Sequence, residues 1–168
     1  MNLQEVLDFV PPAIRDAALQ TARQLSSLGI RHAIAGGLAV GAHGYLRATK
    51  DVDFLVGDEA FEHHGALVTF RPGVPIQVGG VLVDYLSPQA LGQHLESVFE
   101  APSIGSVPVV PIEALVFMKL LAGRRQDLLD VVKLIEARAD VDRIRDYLMK
   151  HASDLLPGFE KLAQEALD

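Results

Sequence analysis

The feature that most restricts the fold of this chain is a glycine pair, Gly36-Gly37, set between two apolar runs. Upstream, His32-Ala-Ile-Ala35 is short, apolar and suited to a strand; downstream, Leu38-Ala-Val-Gly-Ala-His-Gly44 suits a helix. A strand, a tight turn and a helix must follow one another here, because glycine opens backbone conformations that other residues avoid. The strand then needs a sheet to join. Asp51-Val-Asp-Phe-Leu-Val56 reads as one strand, closed by Gly57-Asp58, and Gly80-Val-Leu-Val-Asp-Tyr-Leu86 reads as another. A weaker strand around Val74 to Val78 precedes the latter across Gly79-Gly80.

Helices account for most of the remainder. Residues 11–28 place Ile14, Ala17, Ala18, Ala22, Leu25 and Leu28 at helical spacing, with prolines at the start and Gly29 at the stop. A helix is expected from Pro88 to Glu100, and Ile104 to Val110 is expected to be extended, interrupted by Gly105 and Pro108. Pro111 then introduces helical periodicity over 112–121, 124–137, 141–151 and 154–167. The expected class is α/β (α+β), a small mixed β-sheet flanked by helices. One domain over 1–168 is expected, with its sheet at about 30–110, a helical tail at about 111–168 and its weakest joint near Gly123. Leu155, Leu156, Phe159, Leu162 and Leu167 give the last helices an apolar surface that either closes the core or dimerises.

Composition narrows the classes further. With 168 residues, 49% of them apolar and 22% charged, the chain has the makings of one globular core. No apolar run approaches the roughly 18 to 20 residues of a membrane span, and the first residues lack a basic segment, so a soluble, cytoplasmic protein is expected. The absence of cysteine excludes disulfides, thiolate metal sites and cysteine nucleophiles. A formal charge of -7 argues against general attraction to nucleic acid, leaving only a local basic groove for such a partner.

The candidate chemistry starts from alternation. Side chains at i and i+2 of a strand share a face, so Asp51 and Asp53 point one way, about 6 to 7 Å apart, while Val52 and Phe54 point the other. Like charges at the head of an apolar strand need a cation or a basic side chain nearby, Lys50 and Arg47 being the nearest in sequence. Asp84 is a third carboxylate in a strand, able to face the same point if the two strands pair. Three oxygen ligands suit Mg²⁺, which shares its shell with water and phosphate. The glycine turn adds free N–H groups at a helix start, where a phosphate is held.

Ile34-Ala-Gly-Gly-Leu-Ala-Val40, a gap of 13 residues after Gly37, Asp51-Val-Asp53 and the later Asp84 together resemble the hG[G/S]…DhD…D pattern of the DNA polymerase β-type nucleotidyltransferase superfamily. The stretch AGGLAVGAHGYLRATKDVDFLV resembles a small bacterial branch that includes abortive-infection and MenT-type toxin enzymes. Pro111-Ile-Glu-Ala-Leu-Val-Phe-Met-Lys119 and Arg125-Gln-Asp127-Leu-Leu-Asp130 extend the likeness, which covers about residues 30 to 137. The resemblance implies transfer of a nucleoside monophosphate from an NTP, with Mg²⁺ or Mn²⁺, to a protein, small-molecule or RNA acceptor. It also implies roles. Asp51, Asp53 and Asp84 would be the catalytic metal ligands, Asp84 taking either a second ion or the acceptor's proton. Gly36 and Gly37 would bind phosphates through their amides, and Lys119 would offset triphosphate charge. Larger members carry a further helical region that shapes the acceptor site, so either the acceptor is small or an antitoxin or second subunit completes the pocket.

The neighbouring residues carry two readings each. Arg47 and Thr49 are expected to touch phosphate or fix the carboxylates, whereas Lys50 suits a solvated loop as well. Lys119 lies in the apolar run Leu115-Val-Phe-Met-Lys-Leu-Leu121 and either serves the nucleotide or extends to water. Asp127 and Asp130, beside Arg124 and Lys133, are expected to make ion pairs within their helix. The six histidines show no metal spacing, with His63-His64 expected to diverge on a helix. No P-loop and no nucleophile elbow is present. The rival to an enzyme is a non-catalytic module of the same fold that binds a nucleotide or a protein.

Overall fold

The computed structural model of the protein describes residues 1–64, 67–70, 73–100 and 107–168, and of 62–64 and 67–70 the backbone alone. Two helices open it, α1 (Leu3–Phe9) and α2 (Pro12–Ser27). The first is short, but Asn2 and Glu5 close a reciprocal capping box on its leading turn. There follow β1 (His32–Ala35), α3 (Gly36–Ala42) and β2 (Val52–Val56), then a hairpin of β3 (Phe61–His64) and β4 (Leu67–Phe70). Next come β5 (Gln77–Val78), β6 (Val81–Leu86) and the single turn α4 (Pro88–Leu91). The last third holds α5 (Ile112–Ala122), α6 (Arg125–Glu136), α7 (Val141–His151) and α8 (Leu156–Leu167).

Four strands form a mixed sheet in the order β1-β2-β6-β5. β1 runs antiparallel to β2, β2 parallel to β6, and β6 antiparallel to β5 across Gly79-Gly80, both with positive φ as a two-residue hairpin demands. β2 is central, and Val52, Phe54, Leu55 and Val56 are fully buried on its two faces. α2 packs across β1, β2, β5 and β6, while α5 lies near α3 and turns Leu115 and Met118 toward the opposite face. Six consecutive residues of α5, Ala114 to Lys119, are buried, so this helix is interior all round. Gly123 ends it in the left-handed conformation at φ 65°.

Several expectations change at this level. α1 and the β3–β4 hairpin are additional elements, and His63-His64 lies on a strand rather than a helix. The helix expected over 88–100 is divided at Gly92 into α4 and a 3₁₀ segment, Gln93–Glu100. Only Gln77–Val78 of the weak 74–78 segment pairs as a strand. Residues 104–106 of the expected 104–110 extension lie outside the described residues; Val109 bridges Ile34 in parallel. Gly123 is a tight corner rather than a joint, since α6 folds back on α5 and one buried cluster runs from Val6 to Ala163. Phe159 is fully buried and Leu162 nearly so, closing that core, while Leu167 stays exposed. Among the described residues no helix is long and apolar enough to cross a membrane.

Candidate active site

The register of the two parallel strands sets Asp53 of β2 directly beside Asp84 of β6. In-register neighbours point to the same side of a sheet, so the two carboxylates share a face, and Leu55 and Leu86 repeat the match one pleat further on. That face opens on a cavity of about 390 Å³. Gly36, Asp53, Asp84, Lys119, Arg124 and Asp127 make its polar wall. Leu86, Leu91, Leu115 and Met118 make an apolar one.

Glycine is required at both positions of the turn for different reasons. Gly36 has φ 59°, and a β-carbon there would lie 1.9 Å from Asp53 Oδ2. At Gly37 a β-carbon would lie 2.7 Å from Thr49 Oγ1 and 3.3 Å from Arg47 Nη1. The turn is thus wedged between the Asp53 carboxylate and the loop that leads into β2. Both glycines belong to the first turn of α3, whose sequence carries no side-chain cap.

Electrostatics divides the acids into two kinds. Asp53 is half-buried, and among the described residues no group donates a hydrogen bond to it. Burial, then the charge of Asp84, pushes its pKa up to about 6, with Asp51 adding to the effect and Lys119 opposing it. Asp130 is fully buried, yet it is held below the ordinary carboxylate range. Burial alone would raise it, but Arg47 Nε and Nη2 donate at 2.7 and 2.8 Å, Gln126 at 2.9 Å, and Lys119 Nζ lies 2.9 Å away. Asp127 is likewise lowered against its own burial, by Arg124 Nε at 2.7 Å and Lys119 Nζ at 3.0 Å.

Lys119 therefore turns inward: it is 7% exposed and bridges Asp127 and Asp130 beside the cavity, so it does not extend to water. The expected pairing within α6 holds for Arg124 and Asp127. It does not hold for Lys133, which pairs with Glu136, because Asp130 points into the core and meets cations from other elements. Arg47 is engaged with Asp130 and with Ala48 O at 3.0 Å, and Thr49 Oγ1 donates to Asp51 O at 3.3 Å. Asp51 precedes β2 on an exposed bend and does not line the cavity. Arg124, absent from the sequence candidates, stands in the lining with its side chain 78% exposed. Its only signal was its place immediately before α6 and beside Asp127.

Among the described residues no three carboxylate or histidine side chains gather closely enough to hold a metal by themselves. The donor set nonetheless fits Mg²⁺, which is commonly held by one or two carboxylates together with substrate phosphates rather than by a protein cage. The cavity lining carries three acids against two bases, and one of those acids, Asp127, is paired with both bases. Described histidines serve elsewhere: His43 Nε2 donates to Val110 O at 2.8 Å, and His94 bonds Tyr147 OH at 2.6 Å while stacking on His151.

The fold is nucleotidyltransferase-like: it is similar to the crystal structure of an antigenic nucleotidyltransferase-like protein from Paracoccidioides brasiliensis, which superposes with a TM-score of 0.50 at 17% sequence identity. The match covers 92% of this chain and 94% of that one. No protein-family model matches the chain, and no curated protein matches it in sequence.

Proposed function

We propose that the protein is a nucleotidyltransferase that moves a nucleoside monophosphate from an NTP to an acceptor. The observation that carries this reading is the in-register Asp53–Asp84 pair facing a cavity whose lining also holds Gly36, Lys119 and Arg124. Phosphoryl-group transfer asks for alignment and charge neutralisation more than for covalent catalysis, and these residues supply both. Asp53 and Asp84 would hold Mg²⁺ or Mn²⁺, with Asp51 adding negative potential from the rim. The bound ion would neutralise phosphate charge and activate the entering oxygen.

The chain's own groups complete the scheme. The Gly36 and Gly37 amides receive phosphate oxygens, while Lys119 and the exposed Arg124 offset the triphosphate's charge. An acceptor hydroxyl oxygen bonds to the α-phosphorus as the bond from that phosphorus to the α,β-bridging oxygen breaks. Pyrophosphate leaves with those electrons, and the acceptor's proton goes to Asp84 where that carboxylate does not hold a second ion, and otherwise to solvent. Resemblance to toxin enzymes extends the reading to a cytoplasmic toxin whose acceptor is a protein, a small hydroxylated molecule or an RNA end, with an antitoxin or second subunit as partner.

A second reading, a non-catalytic nucleotide- or protein-binding module, is favoured by the exposed position of Asp51 outside the cavity. Calorimetry with each NTP, with and without Mg²⁺, separates the two. Binding that needs the metal and is lost in Asp53→Asn supports the enzyme, and metal-indifferent binding supports the module. Transfer of label from α-labelled NTP in a cell lysate, followed by mass spectrometry of the product, decides activity; no labelled product with any NTP removes the enzyme.

A further inference from the structure

We propose that Arg47 and Asp130 form a positioning pair that acts from behind the Gly36-Gly37 turn, and that Arg47 does not itself bind the triphosphate. The claim about the turn stands on the structure, and its consequence for nucleotide rests on the reading above.

Asp130 accepts from two guanidinium nitrogens of Arg47, from Gln126 and from Lys119, which occupies all the roughly four acceptor sites a carboxylate offers. One buried acid thus joins three elements: the loop before β2, α5 through Lys119, and α6. Arg47 is fixed in turn. Two of its nitrogens are committed to Asp130 and the third donates to Ala48 O. That third nitrogen is the atom that a β-carbon on Gly37 would meet at 3.3 Å, beside Thr49 at 2.7 Å. The pair consequently presses the loop onto Gly37 on one side and holds Lys119 at the cavity on the other.

Stability alone is a poor reason for such an arrangement. A buried ion pair costs desolvation, and well-packed apolar replacements are often no less stable. The planar fork of arginine, in contrast, spans both carboxylate oxygens and fixes an orientation that a lysine ammonium cannot. Because placement errors of about 1 Å cost up to roughly 100-fold in rate, an orientation device is expected to act on affinity and turnover, beyond any effect on the unfolding midpoint.

The test compares Arg47→Lys, Arg47→Ala, Asp130→Asn and the double variant Arg47→Ala/Asp130→Asn with the intact protein. Amide hydrogen exchange at Gly36 and Gly37 is read in the ligand-free protein, and affinity for each Mg·NTP is read by calorimetry under conditions where every variant is folded. The expected result is exchange at both glycines about tenfold faster and affinity about tenfold lower or worse in each single variant, with no further loss in the double. Arg47→Lys must fail like Arg47→Ala, because a phosphate contact would survive a change that keeps the charge whereas the two-oxygen brace does not. Additive losses in the double variant, or Arg47→Lys behaving as the intact protein in both measurements, overturns the proposal. Should Asp130→Asn not fold, the lysine variant decides alone. If the intact protein binds no NTP, the function proposed above falls while the exchange rates still decide the positioning role.

Discussion

Asp53 on β2 and Asp127 on α6 line the same cavity, with Asp130 buried behind it, yet the surroundings of Asp53 and of the two α6 acids act in opposite senses. Asp53 has no donor among the described residues and an acid alongside, and its pKa rises to about 6. The α6 acids are at least as buried but receive Arg47, Arg124, Gln126 and Lys119, and theirs fall. Burial therefore does not decide the state of a carboxylate here; the company it keeps does. One acid pair is complete within the chain. The other, Asp53 beside Asp84, lines the cavity, and Asp53 receives no hydrogen bond from the described residues.

Four experiments break or sharpen that contrast. The largest effect is expected from Asp130→Ala, which strands Arg47, leaves Lys119 with Asp127 alone and costs about 3 to 5 kcal/mol in urea unfolding; a cost under about 1 kcal/mol would mean the α6 network is no tighter than a surface pair. Gly36→Ala comes next, at roughly 2 to 4 kcal/mol, combining a left-handed backbone with a β-carbon driven against Asp53.

Third, Asp53→Asn is expected to stabilise the metal-free protein at pH 7, by about 2 to 3 kcal/mol. The sign follows from linkage. Between about pH 4 and 6 the folded state keeps a proton on Asp53 that the unfolded state has released, so the intact protein loses stability as pH rises through that window. The difference between intact protein and variant should be absent below that window and grow to its full size above it; a difference that is constant with pH would show that Asp53 is not the titrating group. The α6 acids act with the reverse sign, their stabilisation disappearing as pH falls through and below the ordinary carboxylate range. The smallest stability effect, under about 1 kcal/mol, belongs to Arg124→Ala, since that side chain is mostly in water. Its Mg·NTP affinity should nonetheless drop severalfold, and unchanged affinity would remove Arg124 from the site.

What the sequence revealed follows the range of the interactions involved. Gly36-Gly37, Asp53 and Asp84 are legible because strand alternation and turn chemistry are local, and the parallel pairing of their strands then brings them together. Lys119 was ambiguous because its own helix is apolar all round; the acids that draw it inward come from α6, on the far side of the Gly123 corner. Arg47 and Asp130 are 83 residues apart, and no local pattern announces their pairing. The β3–β4 hairpin was missed because Phe61 to Phe70, interrupted by His63-His64-Gly65, offers few β-branched residues. The expected helix over 88–100 had a real period, but Gly92 stops it after one turn.

Because β2 and β6 run in the same direction, the chain cannot pass between them by a simple hairpin and must travel out and back over residues 57–80. The alignment of Asp53 with Asp84 is written in the ladder and is indifferent to how long that excursion is. Changes of length or sequence in that segment should therefore leave the two carboxylates in step, because their alignment belongs to the strands and not to the connection between them.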